Sequence, residues 1–221
     1  MEWHVWLAYF AASWVIAVSP GSGAVLSMAH GLAYGVKEAR WTIMGLQLGL
    51  TVILLIAGAG VGALLLASAS AFLVVKVLGA TYLIWLGWKQ WRAPVDVLPL
   101  PAEYATPTSA AGAAARGVPT PRERVLTGFL TNVTNPKGIV FMVAVLPQFI
   151  DPHRSLGVQL LVLLLTTLFT DVVVMHGYAF LASRAQRWLA TARARRTQNR
   201  IFGGVLVAMG TSLLLVKRAV G

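Results

Sequence analysis

The stretch Asn132-Val133-Thr134-Asn135-Pro136-Lys137-Gly138 constrains this chain more than any other. It sets two amides, a proline and a lysine inside an apolar run, about Val125–Phe149, that is otherwise long enough to cross a bilayer. A lysine at that depth costs roughly 2.5–3.5 kcal/mol on insertion scales. Lys137 stands about a dozen residues into the run, roughly 18 Å along a helix, which is far to snorkel. Something else must offset its charge, and a transport site is the usual reason.

The bulk composition agrees with a membrane setting. The 221 residues are 57% hydrophobic and 11% charged, against about 25% charged in soluble domains. This is an integral membrane protein, all-α, with room for roughly six spans. It reads as one transmembrane domain: a first half 1–91, a cytoplasmic linker 92–124 and a second half 125–221. The formal charge of +11 comes from Lys and Arg placed mostly outside the spans. It fits a cytoplasmic face against anionic lipid, so membrane lipid is an expected partner and nucleic acid is not. The absence of cysteine excludes thiol redox chemistry and thiolate metal sites. His4, His30, His153 and His176 show no metal-ligand spacing, so neither metal nor cofactor is expected. Residues 1–12 carry no Lys or Arg, so the positive region of a signal peptide is missing and the segment reads as a first span.

That first span, about Val5–Met28, is also broken, at Ser19-Pro20-Gly21-Ser22-Gly23. Gly31, Gly35, Lys37 and Arg40 read as a short polar loop. Span 2 is about Trp41–Leu66 with Gly45, Gln47 and Gly49, and Ala67–Ser70 reads as a turn. Span 3 is about Ala71–Trp91; Lys76 snorkels outward, and Trp85, Trp88 and Trp91 mark the interface at its exit. Residues 92–124 are proline-rich and read as a flexible linker. Asp151–Arg154 is a tight turn, and span 5, about Leu156–Ala182, holds Asp171 near its centre. Residues 184–200, with six arginines around Trp188 and Leu189, read as a basic surface helix before span 6, about Ile201–Val216. The glycine-rich faces of spans 2 and 6 suit packing within the chain or between chains, so a homo-oligomer is among the expected assemblies. Lys and Arg concentrate after spans 1, 3 and 5, which puts both termini outside the cytoplasm, in a bacterium the periplasm.

Three spans followed by three have opposite orientations, and each half opens on a proline-broken span. Interrupted segments at matching positions of two inverted halves point to a transporter's site. Broken helices expose amides that attract carboxylates and carbonyls that attract cations, and a zwitterionic amino acid offers both charges. Lys137 either binds a substrate carboxylate or pairs with Asp171. Asp171, the one acidic residue deep in a span, is either a structural contact or a proton carrier. Asn132 and Asn135, three apart, face one way on a regular helix, as helix glue or as substrate contacts. An intramembrane serine hydrolase using Ser22 with His176 as base is the alternative from another class. A channel or heme scaffold has no axial-ligand pair to support it.

Several of these pieces occur together in a known family. Ser19-Pro20-Gly21-Ser22-Gly23-Ala24, Gly45-Leu46-Gln47, Tyr82-Leu83-Ile84-Trp85-Leu86-Gly87 and Asn132 with Thr134-Asn135-Pro136-Lys137 carry the likeness. Pro147-Gln148-Phe149-Ile150, Asp171, Gly177-Tyr178-Ala179 and Ile201-Phe202-Gly203 extend it over nearly the whole chain. The sequence resembles the LysE/RhtB family of amino-acid exporters. The family's commoner first break is Ser-Pro-Gly-Pro-Asn; Ser22 and Gly23 depart from it, as the homoserine-type branch does. The resemblance implies six helices and export of homoserine, its lactone or a related small neutral amino acid, such as threonine or leucine, by proton antiport across the inner membrane. The chain is therefore expected not to be an enzyme. The expected substrate-binding residues are Ser19, Pro20, Gly21, Ser22, Gly23, Gln47, Asn132, Asn135, Pro136 and Lys137, with Asp171 for proton coupling.

Overall fold

The computed structural model describes residues 1–67, 69–92, 118–184 and 192–215, and among these the chain is helical with no strand. Helix α1 (Trp3–Val18) stops where Ser19 turns extended and Pro20 removes the next backbone donor. Helix α2 (Ser22–Tyr34) resumes at 56° to it. Gly35, with φ 80°, then reverses the chain in a single residue, and its carbonyl accepts the N–H groups of Glu38 and Ala39. Helix α3 (Val36–Ala67) therefore starts at once. Lys37 and Arg40 lie in its first turns, not in a polar loop as expected from their charge.

Helix α4 (Ala69–Trp91) follows. Ser68, within the expected turn, lies outside the described residues, as do the side chain of Lys76 and linker residues 93–117. Helix α5 (Pro121–Val133) begins four residues earlier than the apolar run. Thr120 and Glu123 form a reciprocal capping box and Pro121 sits at the first helical position, where its missing N–H costs nothing. The end of the proline-rich segment is thus a helix start rather than linker. Helix α6 (Pro136–Val145) leaves the second break and runs into a 3-10 turn (Leu146–Phe149), and this pair is bent by 52°. Asp151 closes the expected tight turn by accepting the N–H of His153 and the N–H of Arg154. Helix α7 (Leu156–Arg184) and helix α8 (Ala192–Leu215) complete the chain. Because α8 begins at Ala192, Arg193, Arg195, Arg196 and Arg200 continue directly into the last apolar segment and form no separate surface helix. Trp188 and Leu189 lie outside the described residues.

Val36–Gly60 and Leu156–Arg184 are each long and apolar enough to cross a membrane. The bent pairs α1–α2 and α5–α6 raise the number to four if each counts as one span. The main helix pairs are α3 with α5, α4 with α8, and α2 with α7. Small residues set their closeness. A Cβ on Gly45 would lie 2.0 Å from the Val125 carbonyl oxygen, and one on Gly128 would lie 2.1 Å from that of Thr42, so the α3–α5 backbones touch. Gly87 and Gly203 do the same for α4 and α8, each 2.5 Å from the other's carbonyl oxygen. The glycines of spans 2 and 6 thus pack within the chain at these positions.

The two ends of the bundle differ. At one, Arg154 holds Asp151 at 3.1 Å and reaches Glu2 at 3.8 Å. At the other, Arg124 of α5, 3% exposed, binds Glu38 of α3 at 2.8 Å and lies over the ring of Tyr34, 4.2 Å from its centroid. That ion pair ties the first half to the second. Trp85 and Trp88 are exposed at the α4 exit and carry Lys89 and Arg92 over their rings, as an interfacial belt does.

Gly45→Leu is expected to abolish folded protein, because no side chain fits against the Val125 carbonyl. Gly60→Leu, where a Cβ meets nothing within 4 Å, is expected to leave folding intact. Size-exclusion profiles of the detergent-solubilised variants check both.

Candidate functional site at the two helix breaks

Each break begins as a backbone problem. A helix carbonyl normally accepts the N–H four residues on, and proline has none. At the first break the carbonyl of Ile16 would have used Pro20. At the second, that of Asn132 would have used Pro136. Away from water, such a carbonyl needs another donor. The second break solves this locally: the N–H of Asn135 bonds Asn132 O at 2.9 Å, and Asn135 Oδ1 caps α6 by accepting the N–H of Lys137 at 3.1 Å. The first break is solved from the other half of the chain. Lys137 Nζ donates to Ile16 O at 3.1 Å and also to Ser19 O, and the Tyr178 hydroxyl donates to Val18 O at 2.6 Å. The ammonium lies at the negative end of the α1 dipole, where a cation is favoured.

Between the breaks is a cavity of about 60 Å³. That is room for several waters or a small solute. Ser19, Gly21, Gly23, Asn132, Asn135, Lys137 and Asp171 line it, so seven of the expected site residues converge from four helices and their breaks. Gln47 stands behind them and donates from Nε2 to Asp171 Oδ2 at 2.6 Å. Asp171 and Lys137 share the cavity but are not within the 4.0 Å of an ion pair. Pro20 and Pro136 shape the breaks without lining the cavity. Ser22 begins α2 as an exposed residue off the cavity wall and makes no hydrogen bond with His176, whose Nδ1 donates to Val172 O at 2.8 Å.

Asn132 and Asn135 are not neighbours on one regular helix face, as their spacing suggests, because the break falls between them. Asn132 closes α5 and donates from Nδ2 to Leu46 O at 2.7 Å, which joins α5 to α3. Asn135 opens α6. Both still reach the cavity. Sequence reasoning missed Ser13, Thr167 and Thr170 in the wall. Thr167 lies one helical turn before Asp171, and that spacing was the available signal. The rest of the wall is apolar, with Leu46, Leu50, Phe141, Met142 and Met175.

Two broken apolar helices meeting at a small polar cavity, with a lysine and an aspartate inside the bundle, make the build of a membrane translocator. The chain belongs to the LysE type translocator family, whose model matches residues 14–217 and so includes both breaks. A homoserine/homoserine lactone efflux protein of Salmonella typhimurium is 38% identical over 221 residues, covering 99% of this chain and 98% of its own. An uncharacterized membrane protein of Vibrio cholerae is 40% identical over 217 residues, covering 98% of this chain and 100% of its own. A leucine efflux protein of Klebsiella pneumoniae is 30% identical over 211 residues, covering 94% and 93%. No solved structure matches.

Asn132→Ala is expected to destabilise the protein by about 0.5–1.5 kcal/mol, because Leu46 O loses its cross-helix donor while keeping its place in the α3 ladder. Thermal unfolding in detergent measures it.

Proposed function

We propose that this protein is an inner-membrane exporter of homoserine, homoserine lactone or a related small neutral amino acid, driven by proton antiport. The observation that carries the reading is the cavity where both breaks meet and where Lys137 and Asp171 face one space without pairing. A zwitterion needs a site for each charge. The amino end of α2 has Gly21 as its cap with no side-chain bond, so its first N–H groups suit a carboxylate. The carbonyl end of α1 suits an ammonium. Asn132 and Asn135 supply amides at the same depth, and Lys137 contacts substrate with them. Ser19, Gly21 and Gly23 complete the substrate site on the cavity wall, Gln47 holds Asp171 from behind it, Pro20 and Pro136 shape its two breaks, and Ser22 stands off the wall at the start of α2.

Asp171 takes the coupling proton. A lone carboxylate in a site with little water is costly, and either a proton or a nearby cation relieves it. Protonation of Asp171 and arrival of the substrate's ammonium group are therefore alternatives, and alternation between them is antiport. The scaffold is six spans in two inverted three-helix repeats, α1–α4 and α5–α8, each opening on its broken pair. The excess of Lys and Arg around the α2–α3 turn, the α4 exit and the α7–α8 connection supports placing that end in the cytoplasm and both termini in the periplasm. The apolar wall gives a second reading, export of leucine, and the relative named for leucine efflux favours the same comparison.

Uptake of radiolabelled L-homoserine into inverted membrane vesicles, with leucine and threonine as competitors, tests this. A proton gradient is expected to drive accumulation in wild type. Asp171→Asn is expected to lose that accumulation while keeping gradient-independent exchange. Accumulation that survives in Asp171→Asn would move the proton site elsewhere. Uptake of no small amino acid would sink the substrate reading.

A further inference from the structure

Lys137 does something unusual for a residue expected to greet a carboxylate: its ammonium is already bound, to carbonyls. Ile16 O lost its helical donor to Pro20, and Ser19 O follows the end of α1, so both lack a partner within their own helix. Lys137 Nζ supplies both bonds, across 121 and 118 residues of sequence. Ile16, Ser19 and Lys137 all line the cavity, so the lysine and the residues whose carbonyls it binds border the same space. Gly21 lies beside it: a Cβ built there would sit 3.5 Å from Lys137 Nζ, in ordinary contact. Asp171, in the same cavity, is held by the neutral amide of Gln47 and not by the lysine.

We infer that the carbonyls of Ile16 and Ser19 form the ammonium subsite of the carrier, and that Lys137 fills it as a tethered stand-in when substrate is absent. A substrate's primary ammonium has the same charge and the same three donors as the lysine head. Exchanging one for the other leaves the cation at the α1 terminus unchanged. The displaced Lys137 is then free to meet the substrate carboxylate or Asp171. An empty subsite never forms, because a tethered competitor is always at high effective concentration. The ligand class is a primary ammonium: an amino acid or its lactone fits, and a quaternary ammonium, which cannot donate to the carbonyls, does not. This deepens the exporter reading and rests on it for the nature of the substrate.

Binding of radiolabelled methylammonium to the purified, detergent-solubilised full chain tests the subsite without any transport step. Removing the tethered competitor by Lys137→Ala is expected to tighten methylammonium binding by about tenfold or more, with tetramethylammonium binding to neither form. Lys137→Met, which keeps the length of the side chain, is expected to behave alike. Equal methylammonium affinity in wild type and folded variants would overturn the inference. In wild type, modification of Lys137 by an amine-reactive reagent, read by mass spectrometry as the ratio of labelling at Lys137 to that at the exposed Lys37 so that reagent consumed by the added amine cancels, is expected to rise with added methylammonium or L-homoserine. A lower or unchanged ratio would also overturn it, and this arm decides if neither variant folds. Failure of homoserine transport with methylammonium binding intact would remove the substrate reading and leave the subsite standing.

Discussion

The bond from Lys137 to the open carbonyl end of α1 is what the arrangement at the centre depends on. Pro20 creates the need by taking a donor out of a helix inside an apolar bundle. Lys137 meets it from the other half of the chain, carried to the right depth by the second break. Each element therefore explains the other. The lysine is tolerated inside an apolar bundle because a helix terminus solvates it, and the terminus is tolerated because the lysine satisfies it.

Around this contact the frame is rigid and closely packed. Gly45 and Gly128 bring α3 against α5, and Gly87 and Gly203 bring α4 against α8, at distances where one added methyl group would strike a carbonyl. Close backbone approach is the main source of helix association where lipid is as apolar as the side chains. It also fixes where Asn132 points: toward Leu46 O, on the helix that carries Gln47 and so steadies Asp171. The ion pair of buried Arg124 with Glu38 fastens the same two helices at one end. The polar groups of the cavity are thus held by helices that cannot easily slide.

Much of the site was legible in the sequence, because prolines and charges inside apolar runs are costly and so carry information. Pro20, Pro136, Lys137 and Asp171 stood out on that ground alone, and the family that the wider set of motifs resembles is the one the chain belongs to. What was not legible depended on geometry. The partner of Lys137 is a pair of backbone carbonyls, which no side-chain pattern announces. The spacing of Asn132 and Asn135 implied a shared face only if the helix continued, and it does not. Charge misled at Lys37 and Arg40, where one glycine makes the whole turn and the charged residues lie in the first turns of a helix. Composition misled at Thr120-Pro121-Arg122-Glu123, where a proline taken for linker is the first residue of a capped helix, and with it Arg124 went unnoticed.

A cryo-electron microscopy structure of the protein with L-homoserine bound tests the central claim most directly. The account predicts substrate density between the two breaks, with its ammonium on the carbonyls of Ile16 and Ser19 and Lys137 turned toward its carboxylate. Substrate bound elsewhere, with Lys137 still on those carbonyls, would contradict it.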